Sequence, residues 1–193
     1  PHAPASTYPV PVTPYGHSKW RAEQALQALM AGTHCELVIV RPALLYDHEL
    51  TANLAMLARW GRRLPFALPE AGERTLLCRC DLAELLAQLI EAPWQAKPTT
   101  RHVAAYDGQC YSARRIGAAL AHPSRLSLPL PLWRLAAWGW DRLSGNGANA
   151  TWQSIAGQHW CGTFSCSLPW RPQWTLEQRL ASPAESALSE RAP

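Results

Sequence analysis

The most informative segment of this chain is Thr13-Pro14-Tyr15-Gly16-His17-Ser18-Lys19. It opens a helix. Thr13 is a good N-cap residue, and Pro14 takes the first helical position, where its missing N–H costs nothing. Ala22, Ala25, Leu26, Leu29 and Met30 then recur at the spacing of one helix face, and Gly32 supplies the stop. The pattern predicts a helix over 14–31. Tyr15 and Lys19 are four apart and so share a face.

That pairing has a chemical use. A free tyrosine has a pKa of about 10 and is a poor base at neutral pH. An ammonium held beside a phenol favours the phenolate. A tyrosine so placed can take a proton from a substrate hydroxyl, or return one. The competing reading is a surface aromatic resting on a lysine stem.

Working outward, residues 1–12 are rich in proline and read as an extended loop. On the other side, Leu37 to Val40 is a short apolar run closed by Pro42. It fits a strand buried on both faces of a parallel sheet.

These residues carry a resemblance. Pro14 to Lys19, with Ala22-Glu23, resembles the active-site helix of the extended short-chain dehydrogenase/reductases. More narrowly, it resembles the NAD-dependent epimerase/dehydratase family that works on nucleotide sugars. Glu36-Leu37-Val38-Ile39-Val40-Arg41-Pro42, then Leu45-Tyr46, is similar to the family's next strand and its Arg-Pro…Tyr-Gly turn. The resemblance runs to about Leu180 and covers only the family's second half.

The resemblance implies an α/β fold: the C-terminal part of a Rossmann-like, doubly wound parallel sheet with a small α+β substrate-binding domain. Residues 1–42 and 75–110 would belong to the NAD-binding part. Residues 43–74 and 111–182 would form the nucleotide-sugar region, and 183–193 a frayed tail. Tyr15 would be the acid/base on the sugar hydroxyl, and Lys19 would assist it and hold the nicotinamide ribose. Pro42 would also touch the cofactor, which is NAD, with NADP left open.

Asn53 falls where the family touches the diphosphate, Leu64 and Phe66 where it lines the base, and Arg74 where an arginine grips the diphosphate. Bidentate pairing is the physical reason for an arginine at such a place. The structural alternatives are a helix N-cap for Asn53 and a solvated surface charge for Arg74. The implied activity is UDP-hexose 4-epimerisation, or reduction or dehydration of a 4-keto sugar nucleotide, because the same tyrosine and lysine serve all three. A nucleotide sugar is the implied partner, and a homodimer through the active-site helix is implied too. A non-catalytic remnant or interaction module is the alternative from another class.

The departures are specific. None of the 11 glycines makes a Gly-rich turn between a strand and a helix, which dinucleotide binding needs. The family's Ser or Thr upstream of the tyrosine falls off the chain, and Ser6 and Thr7 are too close to replace it. The family's Tyr-Gly is Tyr46-Asp47, which puts a carboxylate near a pocket meant for phosphates. Cys80 stands where an acidic residue often precedes Asp81. A start at Pro1 suggests a fragment, and the isolated chain is expected to be inactive.

Composition sets the remaining bounds. The 193 residues are 48% hydrophobic and 17% charged, a globular balance. Net charge is +4, with arginines scattered, so no nucleic-acid footprint is indicated. Of 18 basic residues only Lys19 and Lys97 are lysine; that excess of arginine suits diphosphates, or reflects coding bias. No apolar run reaches the ~20 residues that span a bilayer, and no secretory signal is visible, so the expectation is a cytoplasmic protein. The six cysteines match no common zinc spacing. His159-x-Cys161-x4-Cys166 is a weak metal candidate, and ordinary reduced thiols with no metal are the reading.

Further elements follow by pattern. Asn53 to Trp60 predicts a helix ending at Gly61, and Leu76 to Cys80 a strand. Asp81-Leu82-Ala83-Glu84 reads as a capping box opening a helix through Ile90. His102 to Tyr106 predicts a strand, and Ser112 caps a helix over 113–121. Residues 126–143 read as a packed helix rather than a membrane-surface one, 144–163 as a loop, and Thr175 with Gln178 as a second capping box.

Overall fold

The computed structural model describes residues 14–50, 52–93, 100–120, 126–145, 147, 149–157 and 170–182. Thr13, the Pro-rich leader, Ser6, Thr7, Lys97, the His159/Cys161/Cys166 candidate and the tail lie outside the described residues.

The first helix, α1 (Pro14–Met30), starts where Pro14 predicts, and Gly32 after it takes φ +80°. Strand β1 (Leu37–Pro42) follows, then β2 (Leu44–Tyr46), α2 (Ala52–Arg63), β3 (Phe66–Ala67) and β4 (Leu76–Cys78). Next come α3 (Arg79–Glu91), β5 (Thr100–Ala105), α4 (Ala113–Leu120) and β6 (Leu126–Ser127). Helices α5 (Leu130–Ser144), α6 (Ala150–Ala156) and α7 (Leu176–Ala181) close the described chain. Strands β1 and β5, β2 and β4, and β3 and β6 pair in parallel, so the fold is α/β.

Strand β4 positions everything else. Successive side chains of a strand point to opposite faces. Leu76 and Cys78 enter a large core with Tyr46, Leu54, Leu57, Tyr111, Ile116 and Ile155. Leu77 enters a smaller one with Leu85, Val103, Ala105 and Trp170. The N–H of Asp107 donates to the Leu76 carbonyl at 2.8 Å, tying the end of β5 to β4.

Several expectations need correction. Strand β1 is not buried on both faces: only Ile39 is fully buried, and its neighbours are half-buried. Helix α1 buries no residue, and its apolar stripe is not the face that meets the sheet. Instead Glu23 pairs with Arg41 of β1, and Gln27 meets His102 of β5 at 3.4 Å. Leu26 and Leu29 face outward. Helix α2 passes through Gly61 to Arg63, because its packing against α4 outweighs one glycine's propensity cost of about 1 kcal/mol.

Asp81 caps nothing. Strand β4 runs directly into α3, so the helix starts at Arg79 and leaves Asp81 inside its first turn. Its carboxylate instead accepts the N–H groups of Gln173 and Trp174, each at 3.1 Å. A helix, α6, stands within the expected loop. Its Thr151 N–H donates to the Asp141 carboxylate of α5 at 3.0 Å, and the Thr151 hydroxyl donates to it too. That cap comes from another element, so no local motif announces it. Ser112 does cap α4, accepting the Arg115 N–H at 3.1 Å, and the Thr175/Gln178 capping box forms.

Candidate functional site

Helix α1 runs antiparallel to β1. Glu23 meets Arg41, and Gln27, further along the helix, meets His102, which pairs with the earlier Ile39. Stepping back along α1 therefore steps forward along β1. Tyr15 lies about 12 Å beyond Glu23 at the helical rise of ~1.5 Å per residue, past the carboxyl end of the strand. Pro42 ends β1 at that same edge. In open parallel sheets this is the edge where ligands bind.

Tyr15 is 72% exposed, and the Lys19 ammonium nitrogen sits 5.5 Å from its ring centroid. The ring and the cation attract each other at that distance. The arrangement leaves the phenol open to a ligand, with one positive charge fixed beside it.

Of the expected substrate residues, Leu64 and Arg74 reach α6, and Asn53 and Phe66 are not brought to it. Asn53 is the second residue of α2, inside the helix rather than at its cap. Leu64 lines an apolar cleft of about 290 Å³ with Trp60, Arg63, Trp140 and Ile155. Phe66 stands in β3, half-buried, opposite Leu126. Arg74 is not a solvated surface charge, being only 3% exposed. It bridges to Tyr111, and its Nη2 donates to the Ser154 carbonyl of α6. Its Nη1 is buried and makes no hydrogen bond among the described residues.

A buried guanidinium donor left unmatched is costly, so an acceptor arriving there would be bound well. Beside it opens a cleft of about 570 Å³ lined by Gly72, Glu73, Tyr111, Arg115 and Ala156. Gly72 has φ +76°, and a Cβ there would meet the Ala156 backbone at 3.0 Å, so the loop needs glycine on both counts.

Asp47 does not spoil a phosphate pocket. The Arg179 guanidinium of α7 binds it at 3.0 Å. Burial pushes the Asp47 carboxyl up, but the His48 N–H and Arg179 outweigh that and hold it below the usual range. Tyr46 donates its hydroxyl to the Trp174 carbonyl at 3.0 Å and belongs to the core.

Sequence patterns also missed the buried polar cluster around Asp107. Asp107 accepts the Tyr111 hydroxyl, and that same hydroxyl oxygen accepts the Leu176 N–H at 3.2 Å. Arg115 then pairs with Glu177 at 2.7 Å. Burial pushes the Asp107 carboxyl up to about 6, although the Tyr111 hydroxyl and Gln109 N–H pull it back. Only the separation of Asp107 and Tyr111 by four residues hinted at the contact.

A raised folded pKa means that the folded state holds its proton more tightly than the unfolded chain. Stability is then expected to fall by about 2–3 kcal/mol as pH rises from 3.8 to about 6. Asp47, held low, loses its contribution below that window, and Glu177 begins to lose its own at the window's lower end, below its ordinary 4.5. Urea denaturation across this pH range should show the decline in the parent and a flatter profile in Asp107→Asn. Equal slopes would show that Asp107 does not control it.

Among the described residues no group of His, Cys, Asp and Glu could hold a metal, and no helix is long and apolar enough to cross a membrane.

No protein-family model matches the chain. It is 30% identical to UDP-glucose 4-epimerase of Vibrio cholerae, over 92% of this chain and 55% of that protein. Its fold matches UDP-glucose 4-epimerase of Thermotoga maritima, solved with UDP-glucose. There the TM-score is 0.59 at 13% identity, covering 92% of this chain and 55% of that one. It also matches dTDP-glucose 4,6-dehydratase of Bacillus anthracis, solved with NAD, at TM-score 0.55 and 12% identity, covering 97% and 55%. The chain thus spans about half the length of the relatives it matches. Over that half, it is a homologue of the NAD-dependent epimerase/dehydratase family, of the UDP-glucose 4-epimerase-like kind.

Proposed function

We propose that this chain is the catalytic and substrate-binding part of a nucleotide-sugar 4-epimerase that uses NAD. The observation that carries the reading is the Tyr15–Lys19 pair, held open at the carboxyl edge of β1. NAD, when bound, supplies the hydride acceptor. Tyr15 takes the proton from the sugar's 4-hydroxyl and later returns it. Lys19 stabilises the phenolate form of Tyr15 that accepts this proton and, with Pro42, contacts the cofactor's nicotinamide end. The residues present fit that end alone, because the sequence has no Gly-rich turn for the pyrophosphate.

Arg74, with its free Nη1, takes the diphosphate, Asn53 assists it, and Leu64 and Phe66 line the base. The outward stripe of α1, with Leu26 and Leu29, is the face for a homodimer. Reduction or dehydration of a 4-keto sugar would use the same tyrosine and lysine.

The test is a chimera joining residues 1–193 to the part of the Vibrio cholerae relative that this chain does not span. It should interconvert UDP-glucose and its C4 epimer. Stable folding with NAD bound but no epimerisation would overturn the proposal. In the same chimera, Arg74→Leu should weaken binding of a uridine diphosphate sugar by roughly 1.5–3 kcal/mol, the range for a hydrogen bond to a charged group. Calorimetric titration would read this, and an unchanged affinity would remove Arg74 from the site. Residues 1–193 on their own should bind no NAD. A saturable micromolar change in tryptophan fluorescence on NAD addition would refute that expectation.

A further inference from the structure

Helix α5 is apolar almost all the way round, yet it buries only the stripe Trp133, Ala137 and Asp141. Leu132, Leu135 and Leu143 lie on the opposite side, and Leu143 is 87% exposed. Trp138 and Trp140 flank them, about half exposed. The usual polarity is inverted: the helix's one acid is turned inward onto Thr151, while the leucines face out. A contiguous apolar surface of this kind marks an interaction site.

The charge around it has one sign. Helices α2, α5 and α6 together contain a single acidic residue, the buried Asp141. Arg59 and Arg63 of α2 and Arg134 and Arg142 of α5 are all exposed. The Arg134 guanidinium lies over the Trp152 ring at 5.3 Å, and that of Arg142 over Trp138 at 4.8 Å. Cation and indole are thus paired at two places along the face, on the same helix as the exposed leucines. The apolar cleft between α2 and α5 opens alongside, with Arg63 and Trp140 in its wall.

We propose that this face of α5 docks on an anionic lipid surface. Leucines and tryptophans enter the interfacial layer, and the arginines take the headgroup phosphates. A second copy meeting this face about a twofold axis would set arginine against arginine. A nucleic acid would satisfy the arginines but leave the leucines in water.

Flotation of the 193-residue chain with vesicles tests this. The chain should float with phosphatidylcholine vesicles containing phosphatidylglycerol and stay down with phosphatidylcholine alone. Added salt should release it. Leu143→Glu, at a position that is 87% exposed, should cut flotation at least about tenfold with an unchanged circular dichroism spectrum and thermal melt. Arg142→Glu should cut it by about fivefold or more. Flotation undiminished in Leu143→Glu would overturn the proposal. So would no flotation together with a concentration-dependent dimer that Leu143→Glu abolishes, which would assign the face to a second copy. Retention on a single-stranded oligonucleotide without flotation would overturn it in favour of nucleic acid.

Discussion

Tyr15→Phe, placed in the chimera described above, is expected to lower turnover by ~10²–10⁴-fold while leaving nucleotide-sugar affinity within a factor of about two. The substitution removes one oxygen from a side chain that is 72% exposed, so it opens no cavity and breaks no packing. The ring stays over the Lys19 ammonium. What goes is the only group on that face of α1 able to accept a hydroxyl proton. The loss should therefore fall on the chemical step and not on binding. Steady-state kinetics with a calorimetric affinity for each variant would separate the two. Near-normal turnover in the phenylalanine variant would return Tyr15 to the status of a surface aromatic resting on a lysine.

Asp81→Ala should destabilise the fold by roughly 2–3 kcal/mol, since it strands two partly buried N–H groups that a charged acceptor had satisfied. Both bonds, to Gln173 and Trp174, bring the 170–175 segment back onto the start of α3. Trp170, at 2% exposure, and α7 follow that segment into the two cores. Burial already pushes the Asp81 carboxyl up, which partly offsets the loss and keeps the figure below the sum of two full penalties. Chemical denaturation gives the free energy, and hydrogen exchange at Gln173 and Trp174 gives its location. A loss under about 1 kcal/mol would mean that water replaces the carboxylate at little cost.

Local signals carried well from sequence to structure. Pro14 and Gly32 bounded α1, Ser112 capped α4, and Thr175 with Gln178 capped α7, because each of these devices is complete within a few residues. The parallel, apolar character of β1 and β4 was also legible. Whatever depended on a distant group was not. Helix α6 takes its cap from Asp141, and Asp81 serves a segment more than ninety residues away. The face of α1 that meets the sheet was misjudged for a related reason. Periodicity finds an apolar stripe but does not say what it packs against, and here Glu23 and Gln27 make the contact. In the candidate site, helical spacing alone put Tyr15 beside Lys19, whereas the burial of Arg74 depended on Tyr111 and Ser154 closing around it.

Strand β4 is three residues long, and its side chains alternate between two hydrophobic clusters. It is a party wall: neither room keeps its shape if the wall moves. A displacement of Leu76 on one side is also a displacement of Leu77 on the other. The two clusters therefore lack independent melting temperatures, and the part of the chain that presents Arg74 cannot loosen without loosening the sheet that presents Tyr15. Replacements meant to alter the surroundings of Arg74 alone must then be confined to the loops and helix ends that hang from this wall, because any change in its own three side chains is felt at the Tyr15 edge as well.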